Sequence, residues 1–185
     1  MQLLAARQEG LGEPTTLERV FQEHHARVFR AAHRVTGNVQ DAEDVLQTVF
    51  LRLARRGPDA LPVANLPSYL YRAAINASLD LIRARRDSDS VDFEETAASL
   101  PAQGADRPDE RHEAAEIRHW LRRALARLHP RAAEVFALRY LEGRENREIA
   151  GMLGTSRVAV AVTLHRARRR LQKDLRSRNL RRDGR

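Results

Sequence analysis

Positively charged side chains near the C-terminal end have the types and spacing needed to bind phosphate. Arg157, Arg166 and the arginines at 168–170 are interspersed with apolar residues, and His165 lies among them. A guanidinium group stays charged at neutral pH and donates hydrogen bonds in a planar fork, which suits the phosphates of nucleic acids. We therefore expect this stretch to bind a polyanion.

Two helices joined by a sharp turn must position these arginines. Gly154 can adopt the left-handed conformation that ends a helix, and the hydroxyl of Ser156 can cap the next one. The second helix carries an apolar stripe for packing: Val160, Leu164, Ala167 and Leu171. An ordinary helical hairpin with a solvated basic face is the alternative. Ala150, Gly154 and the long basic helix all fit a helix-turn-helix, so we favour nucleic-acid binding.

The composition of the 185 residues limits the class of protein. Apolar residues make up 42% of the chain but aromatic residues only 5%, which favours small helical cores. No apolar run could span a membrane or act as a secretion signal, so we expect a cytoplasmic protein without membrane insertion. The absence of cysteine and of a complete ligand set argues against a metal or other cofactor. No phosphate-cradling glycine loop or nucleophile elbow is present, so we expect no catalytic residue and no enzyme.

Charge is divided unevenly along the chain. Residues 87–116 contain ten acidic and two basic residues, whereas residues 131–185 contain fifteen basic and six acidic ones. The acidic stretch has little apolar surface and contains Pro101, Gly104 and Pro108, so it is expected not to fold alone. We predict an all-α protein in which two small helical domains are joined by a flexible acidic linker.

The first domain is predicted to begin with two helices. Thr15 and Glu18 form a capping box at the start of the first helix, and Gly37 ends it. Asp41 is expected to cap the second helix, because the positive end of the helix dipole stabilises acidic side chains in the first turn. Asp44 and Gln47 share another face of this helix and could instead dock a partner. The residues alone leave both interpretations open.

A third helix is predicted over residues 68–86, after a loop with three prolines. It opens with tyrosines and ends in a cluster of arginines. Aromatic rings and arginines together can stack and hold single-stranded nucleic acid. Tyrosines at such positions are more often core residues with an exposed hydroxyl. Both interpretations stay open from composition.

The order of these motifs resembles a bacterial sigma factor. A helix with the sequence DAEDVLQTVFLRL is followed by a loop, the helix YLYRAAINASLDLIRARR, the acidic linker and the turn EIAGMLGTS. The chain is similar to sigma-70 family factors of the extracytoplasmic-function group, which keep only the second and fourth sigma domains. The resemblance implies a flexible N-terminus over 1–14, a region 2-like domain over 15–86, the linker over 87–116, a region 4-like domain over 117–175 and a basic tail, expected to be disordered, over 176–185.

The resemblance implies that the second helix binds core RNA polymerase. The implied contact residues are Asp41, Glu43, Asp44 and Gln47. Family members often have an acidic residue after the glutamine, where this chain has Thr48, so the resemblance does not extend to that position. Family members are also commonly inhibited by an anti-sigma factor, although the sequence identifies no particular one.

The third helix is implied to read the non-template strand of the minus-ten element, with one base flipped into a pocket. Asn76 matches the pocket position, and its amide can donate to and accept from a base edge. Tyr69 replaces the usual tryptophan and keeps an aromatic face. The implied DNA-binding residues are Tyr69, Arg72, Asn76, Arg83, Arg85 and Arg86.

The last helix is implied to read the minus-thirty-five element of duplex promoter DNA. The implied residues are Ser156, Arg157, Val158, Ala161, Val162, His165, Arg166 and Arg169. Ala161, Val162 and Thr163 stand where family members usually have basic or hydroxyl residues. The resulting apolar stripe suits thymine methyl groups or a protein partner, so we expect weak discrimination at this element.

The resemblance implies an initiation factor that recruits core RNA polymerase to a subset of promoters and helps to melt them. The rival is a helix-turn-helix regulator that acts on duplex DNA without polymerase. A further hypothesis is that the acidic linker lies against the basic C-terminal domain in the free protein and weakens its binding to DNA.

Overall fold

The computed structural model describes residues 16–57, 66–88 and 108–183. Across these ranges the chain is helical and has no strand, which confirms the all-α class. The helices are α1 (Thr16–Thr36), α2 (Val39–Arg56), α3 (Leu66–Ser88), α4 (Pro108–Ala126), α5 (Pro130–Phe136), α6 (Asn146–Leu153) and α7 (Arg157–Asp183), and a π-helical turn (Ala137–Leu141) continues α5. None of the described helices is both long and apolar enough to cross a membrane.

Helices α1, α2 and α3 form the N-terminal domain and pack against one another. Apolar residues that recur at helical spacing turn inward, where each buried side chain contributes about 2 kcal/mol of transfer free energy. Those almost fully buried in this domain include Val28, Val35, Val45, Val49, Leu53, Leu70, Ile75 and Leu79. This core sets the angle at which α3 presents its polar side chains.

The first turn of α2 differs from the prediction. The side-chain oxygen of Asn38 accepts a hydrogen bond from the backbone N–H of Asp41 at 3.1 Å, so Asn38 is the N-cap. The prediction that Asp41 caps this helix is therefore wrong, because Asp41 lies inside the first turn. Gly37 ends α1 with a φ of 69°, as expected of a helix-terminating glycine. Thr15, predicted to start the first capping box, lies outside the described residues.

Helices α4 to α7 form the C-terminal domain, and its helix-turn-helix is α6 followed by α7. Gly154 has φ 60° and ψ 42°, the left-handed conformation predicted from sequence. The hydroxyl oxygen of Ser156 accepts a hydrogen bond from the N–H of Ala159 at 3.1 Å, which confirms the predicted cap. The predicted stripe of α7 is buried against α5 and α6: Val160, Leu164, Ala167 and Leu171.

Two helices extend beyond the boundaries expected from sequence. Helix α4 begins at Pro108, within the stretch that was predicted to be a flexible linker up to residue 116. Proline suits the first position of a helix because its φ is already close to the helical value. Helix α7 continues to Asp183, so most of the tail that was expected to be disordered is helical. Residues 89–107, which carry much of the acidic linker and its proposed masking role, lie outside the described residues.

The two domains meet along α3, which packs against α4 and α5. A further contact joins Gly37, at the end of α1, to Arg122 of α4. A Cβ on Gly37 would overlap the Arg122 guanidinium, so a glycine permits this close approach. The buried apolar residues of both domains form one continuous cluster. The polar side chains of α3 are therefore close to the C-terminal domain.

The left-handed turn at Gly154 yields a prediction about stability. Replacement Gly154→Ala should lower the free energy of unfolding by about 1 kcal/mol, because a Cβ is strained at positive φ. Gly151→Ala is the matched control, since Gly151 lies inside α6 and also has open space for a Cβ. That control should raise the free energy of unfolding by about 0.5–1 kcal/mol. Urea unfolding followed by circular dichroism measures both, and equal effects would contradict the prediction.

Candidate nucleic-acid interface

The start of α7 presents the residues predicted to contact duplex DNA on one exposed side. Val158 is 73% exposed and Val162 is 43% exposed, although valine usually favours the interior. Around this pair lie other exposed side chains of the predicted set: Ser156, Arg157, Ala161, His165, Arg166 and Arg169. The structure therefore brings the predicted apolar stripe and its flanking arginines to one solvent-facing surface, opposite the packed stripe.

The hydroxyl of Thr163 does not add a free donor to this surface. It donates a hydrogen bond to the carbonyl oxygen of Ala159 at 2.8 Å, one turn earlier in the helix. Direct hydrogen bonding to base edges from this part of α7 is correspondingly reduced. The remaining groups on this part of α7 are apolar side chains and guanidinium groups. The apolar side chains suit the methyl groups in a DNA groove, and the guanidinium groups suit the phosphates.

The predicted polymerase-binding side chains of α2 divide into two sets. Glu43, Asp44 and Gln47 are exposed. Asp41 is only 2% exposed, and its carboxylate accepts two hydrogen bonds from the guanidinium of Arg85 on α3, one of them 2.6 Å long. Burial raises the pKa of the Asp41 carboxyl, and the charge of Arg85 opposes that shift. Asp41 and Arg85, which the resemblance assigns to different partners, join α2 to α3 through this ion pair.

Two of the predicted minus-ten residues of α3 converge on one carboxylate of the C-terminal domain. Oε1 of Glu134 accepts hydrogen bonds from Nε of Arg72 at 3.0 Å and from Nδ2 of Asn76 at 3.1 Å. Glu134 is 5% exposed. Its other carboxylate oxygen accepts from Arg131 at 3.2 Å. A buried carboxylate needs such partners, because its charge is otherwise costly to remove from water.

The other predicted minus-ten residues are also engaged within the chain. Arg83 pairs with Asp80 at 3.0 Å, and Nη1 of Arg86 donates to the carbonyl oxygen of Ala126 at 3.2 Å. The half-buried ring of Tyr69 lies beneath the guanidinium of Arg56, whose central carbon is 5.6 Å from the ring centroid. The structure thus places Tyr69, Arg72, Asn76, Arg83 and Arg86 along α3, and each of them has at least one contact within the chain.

Glu142 forms a second polar contact between the domains. It accepts a short hydrogen bond from the hydroxyl of Tyr71 and another from Arg34 at 2.6 Å. Burial, followed by the hydrogen bond to Glu142, raises the pKa of Tyr71 to about 12. The guanidinium of Arg144 lies over the tyrosine ring, 5.1 Å from its centroid. Two carboxylates of the C-terminal domain, Glu134 and Glu142, therefore bind side chains of the N-terminal domain.

Sequence reasoning missed Glu134 and Glu142 as interface residues. The available signal was weak: Glu134 is the lone acid in a short apolar helix, and Glu142 directly precedes a helix-ending glycine. Neither position has a motif that distinguishes a buried acid from a solvated one. Among the described residues, no three His, Cys, Asp or Glu side chains group as metal ligands would. The arrangement is suited to binding through charge and hydrogen bonds.

Comparison with known proteins matches both halves of the chain to family models. Residues 20–88 match sigma-70 region 2, and residues 118–171 match sigma-70 region 4. The chain is 32% identical to the RNA polymerase sigma-E factor of Streptomyces avermitilis over 169 residues, which covers 91% of this chain and 90% of that relative. It is 29% identical to the ECF RNA polymerase sigma factor SigE of Mycolicibacterium smegmatis, covering 84% of this chain but only 60% of that longer relative.

A solved structure has a similar fold. The match is the sigma factor RpoE of Bartonella quintana, crystallised with the anti-sigma factor NepR. The TM-score is 0.52 at 23% sequence identity, and the match covers 85% of this chain and 95% of that chain. The arrangement of helices is thus one that a sigma factor is known to adopt.

The environment of Tyr71 predicts that its phenol ionises at a higher pH than an ordinary tyrosine. Because its pKa is raised from about 10 to about 12 in the folded chain, the neutral form is favoured by folding. The stability that it contributes should be complete below pH 10 and should be lost as the pH rises through about 12. Spectrophotometric titration of phenolate should show one tyrosine ionising last. Tyr71→Phe should remove that step, and the control Tyr140→Phe should leave it; the opposite result would contradict this assignment.

Proposed function

The chain belongs to the extracytoplasmic-function group of the sigma-70 family, and we propose a residue-level account of how it directs core RNA polymerase to promoters. The observation that carries this function is the presence of region 2 and region 4 matches in the family order on one chain. A regulator that binds duplex DNA without polymerase is not favoured, because it would not require the region 2 domain. The proposed activity is binding without catalysis, in the cytoplasm, where the chromosome and polymerase are found.

The proposed polymerase-binding surface is the exposed face of α2. Glu43, Asp44 and Gln47 lie there with free access to a partner, and two carboxylates favour a basic counterpart. Asp41 is left out of this surface, because its buried carboxylate is bound by Arg85. Its role in the proposal is to hold α2 against α3, so that polymerase binding and minus-ten reading share one rigid body.

The proposed minus-ten reader is α3. Asn76 can donate to and accept from the edge of an extruded base, and Tyr69 supplies an aromatic face for stacking. Arg72, Arg83 and Arg86 provide charge for the phosphates of the single strand. Support comes from their placement along one helix, although each has an intramolecular contact in this conformation.

The proposed minus-thirty-five reader is the start of α7. Val158 and Val162 project into solvent, and in this proposal their apolar side chains contact thymine methyl groups in the major groove. Arg157, Arg166 and Arg169 flank them and suit phosphates. We include an anti-sigma factor among the expected partners, because family members are commonly inhibited by one.

Transcription in vitro with purified core RNA polymerase tests the main proposal. The template is the DNA upstream of the protein's own coding sequence. We expect a transcript of defined start only when both core enzyme and this protein are present. Promoter-specific binding by the protein without core enzyme would favour the rival regulator and contradict the proposal.

The α2 surface yields a prediction about polymerase affinity. Asp44→Lys should weaken binding to core RNA polymerase by about tenfold, because a charge reversal in an interface costs about 1–2 kcal/mol or more. Glu23→Lys on α1 is the matched control, since the Glu23 side chain is 75% exposed and lies outside the proposed surface. Fluorescence anisotropy of labelled protein measures both affinities. Equal losses in the two variants would exclude Asp44 as a specific contact.

The apolar stripe of α7 yields a prediction about DNA bases. Replacing a contacted thymine by deoxyuridine in the minus-thirty-five element should weaken binding about fourfold, the value of one buried methyl group. Val158→Ala should reduce that difference between thymine and uracil, whereas Lys173→Ala, farther along α7, should not. Holoenzyme binding to matched duplexes provides the measurement. A selection that recovered a tight guanine-rich consensus at this element would contradict readout by the valines.

A further inference from the structure

A cavity of about 830 Å³ lies between α4 and the C-terminal half of α7. Its volume is within the range of cavities that bind small molecules. Asp174, one of its lining residues, follows Val158 by 16 positions on the same helix, so the two are separated by about 24 Å along the helix axis. The cavity is therefore distinct from the surface proposed to bind duplex DNA, and nothing in the proposed function uses it.

The cavity is formed in part by helix segments that extend beyond the family match. The match to sigma-70 region 4 covers residues 118–171. Glu116 lies before this range and Asp174 and Arg178 lie after it, and all three line the cavity. Nη2 of Arg178 donates a hydrogen bond to Oε2 of Glu116 at 3.0 Å, which joins the two helices that form the walls. The cavity thus depends on the extended ends of α4 and α7 as well as on the matched region.

The lining of the cavity combines an aromatic ring with positive charge. Trp120 is half-buried and contributes the flat apolar surface of its indole. Arg123 and Arg127 are exposed and lie four residues apart on the same wall. Within the part of the chain that the structure describes, neither of these guanidinium groups has an ion-pair partner. A ligand that suits these groups needs both a planar ring and a negative charge.

Asp174 adds an acceptor whose hydrogen bonding is incomplete. Its Oδ1 is 3.8 Å from Nε of Arg170, which is too far for a hydrogen bond. Its Oδ2 is buried and has no hydrogen-bond partner among the described residues. An ionised carboxylate only accepts, and a buried acceptor without a donor is costly. Rotation of the side chain turns this carboxylate toward the cavity that it lines, where a hydroxyl group of a ligand can donate to it.

We propose that this cavity binds a free nucleotide. The base stacks on the indole of Trp120, the phosphates pair with Arg123 and Arg127, and a ribose hydroxyl donates to Asp174. Each contact has a known chemical basis: bases stack on aromatic rings, guanidinium groups bind phosphate in a planar fork, and carboxylates accept hydrogen bonds from ribose hydroxyls. An inorganic anion would use the arginines but leave the indole uncovered. The proposal does not depend on the reading roles of α3 and of the start of α7.

Trp120 is the only tryptophan in the chain, so the intrinsic fluorescence of the full-length protein reports on this cavity. We expect ATP, used as the probe, to quench that fluorescence to a saturable limit, because its base stacks on the indole. The analogue 2′,3′-dideoxy-ATP should bind about tenfold more weakly, since it lacks the hydroxyl groups that donate to Asp174. Inorganic triphosphate should displace ATP only at concentrations that are at least about tenfold higher, because it has no ring to stack.

Arg123→Gln should weaken the binding of ATP about tenfold, the effect of removing one charge-assisted hydrogen bond. Arg118→Gln is the matched control, because it makes the same change in net charge at an exposed position of α4 that does not line the cavity. The control should leave the affinity for ATP unchanged. If Arg123→Gln fails to give a folded circular dichroism spectrum, Arg127→Gln provides the second test with the same expected loss.

Four results would each overturn the proposal. The first is an absence of saturable quenching in the native chain, and the second is an equal loss of affinity in the cavity variant and its control. The third is equal affinity for ATP and its dideoxy analogue, and the fourth is binding of inorganic triphosphate as tight as that of ATP. Promoter-specific transcription with core RNA polymerase is measured separately, so failure of the nucleotide site is distinguishable from failure of the proposed function.

Discussion

A buried negative charge must be neutralised, and in this protein that requirement determines how the domains meet. The carboxylate of Glu134 is 5% exposed, and its donors are Arg72 and Asn76 from one domain and Arg131 from its own. Left without partners inside a protein, a carboxylate would be strongly destabilising. The closed arrangement is therefore coupled to the same polar side chains that we assign to single-stranded DNA.

Helix α7 uses one face to pack the domain core and another for the surface proposed to bind DNA. One face packs a core through a stripe that begins at Val160, and the opposite face leaves Val158 and Val162 in solvent. Both stripes begin after the left-handed turn at Gly154, which sets the direction of the helix. A slight change of that turn would reorient α7, and with it the exposed valines and their flanking arginines, relative to the rest of the domain. The turn thus links the packing of the domain to the surface proposed to read DNA.

Local features of the chain were predictable, and contacts between distant residues were not. The roles of Gly154 and Ser156 depend on a few neighbouring residues, so their identities and spacing suffice to predict them. The prediction of the residue that caps α2 was wrong. Asn38 and Asp41 are both of a type that can cap a helix, and only the folded structure shows that Asn38 does so. Asp41 then serves as a buried partner for Arg85, 44 residues away. No periodicity in the sequence indicates such a pair.

The amino-acid sequence by itself determined the helical class, the helix-turn-helix, the buried stripe of α7 and the family to which the chain belongs. These follow from spacing along a helix and from motif order, which are properties of neighbouring residues. Only the tertiary structure decided that Glu134 and Glu142 face the N-terminal domain and that Arg72 and Asn76 are covered. Whether an acidic side chain is solvated or buried depends on which surfaces come together in space. A local sequence pattern does not contain that information, so it cannot predict the burial of either acid.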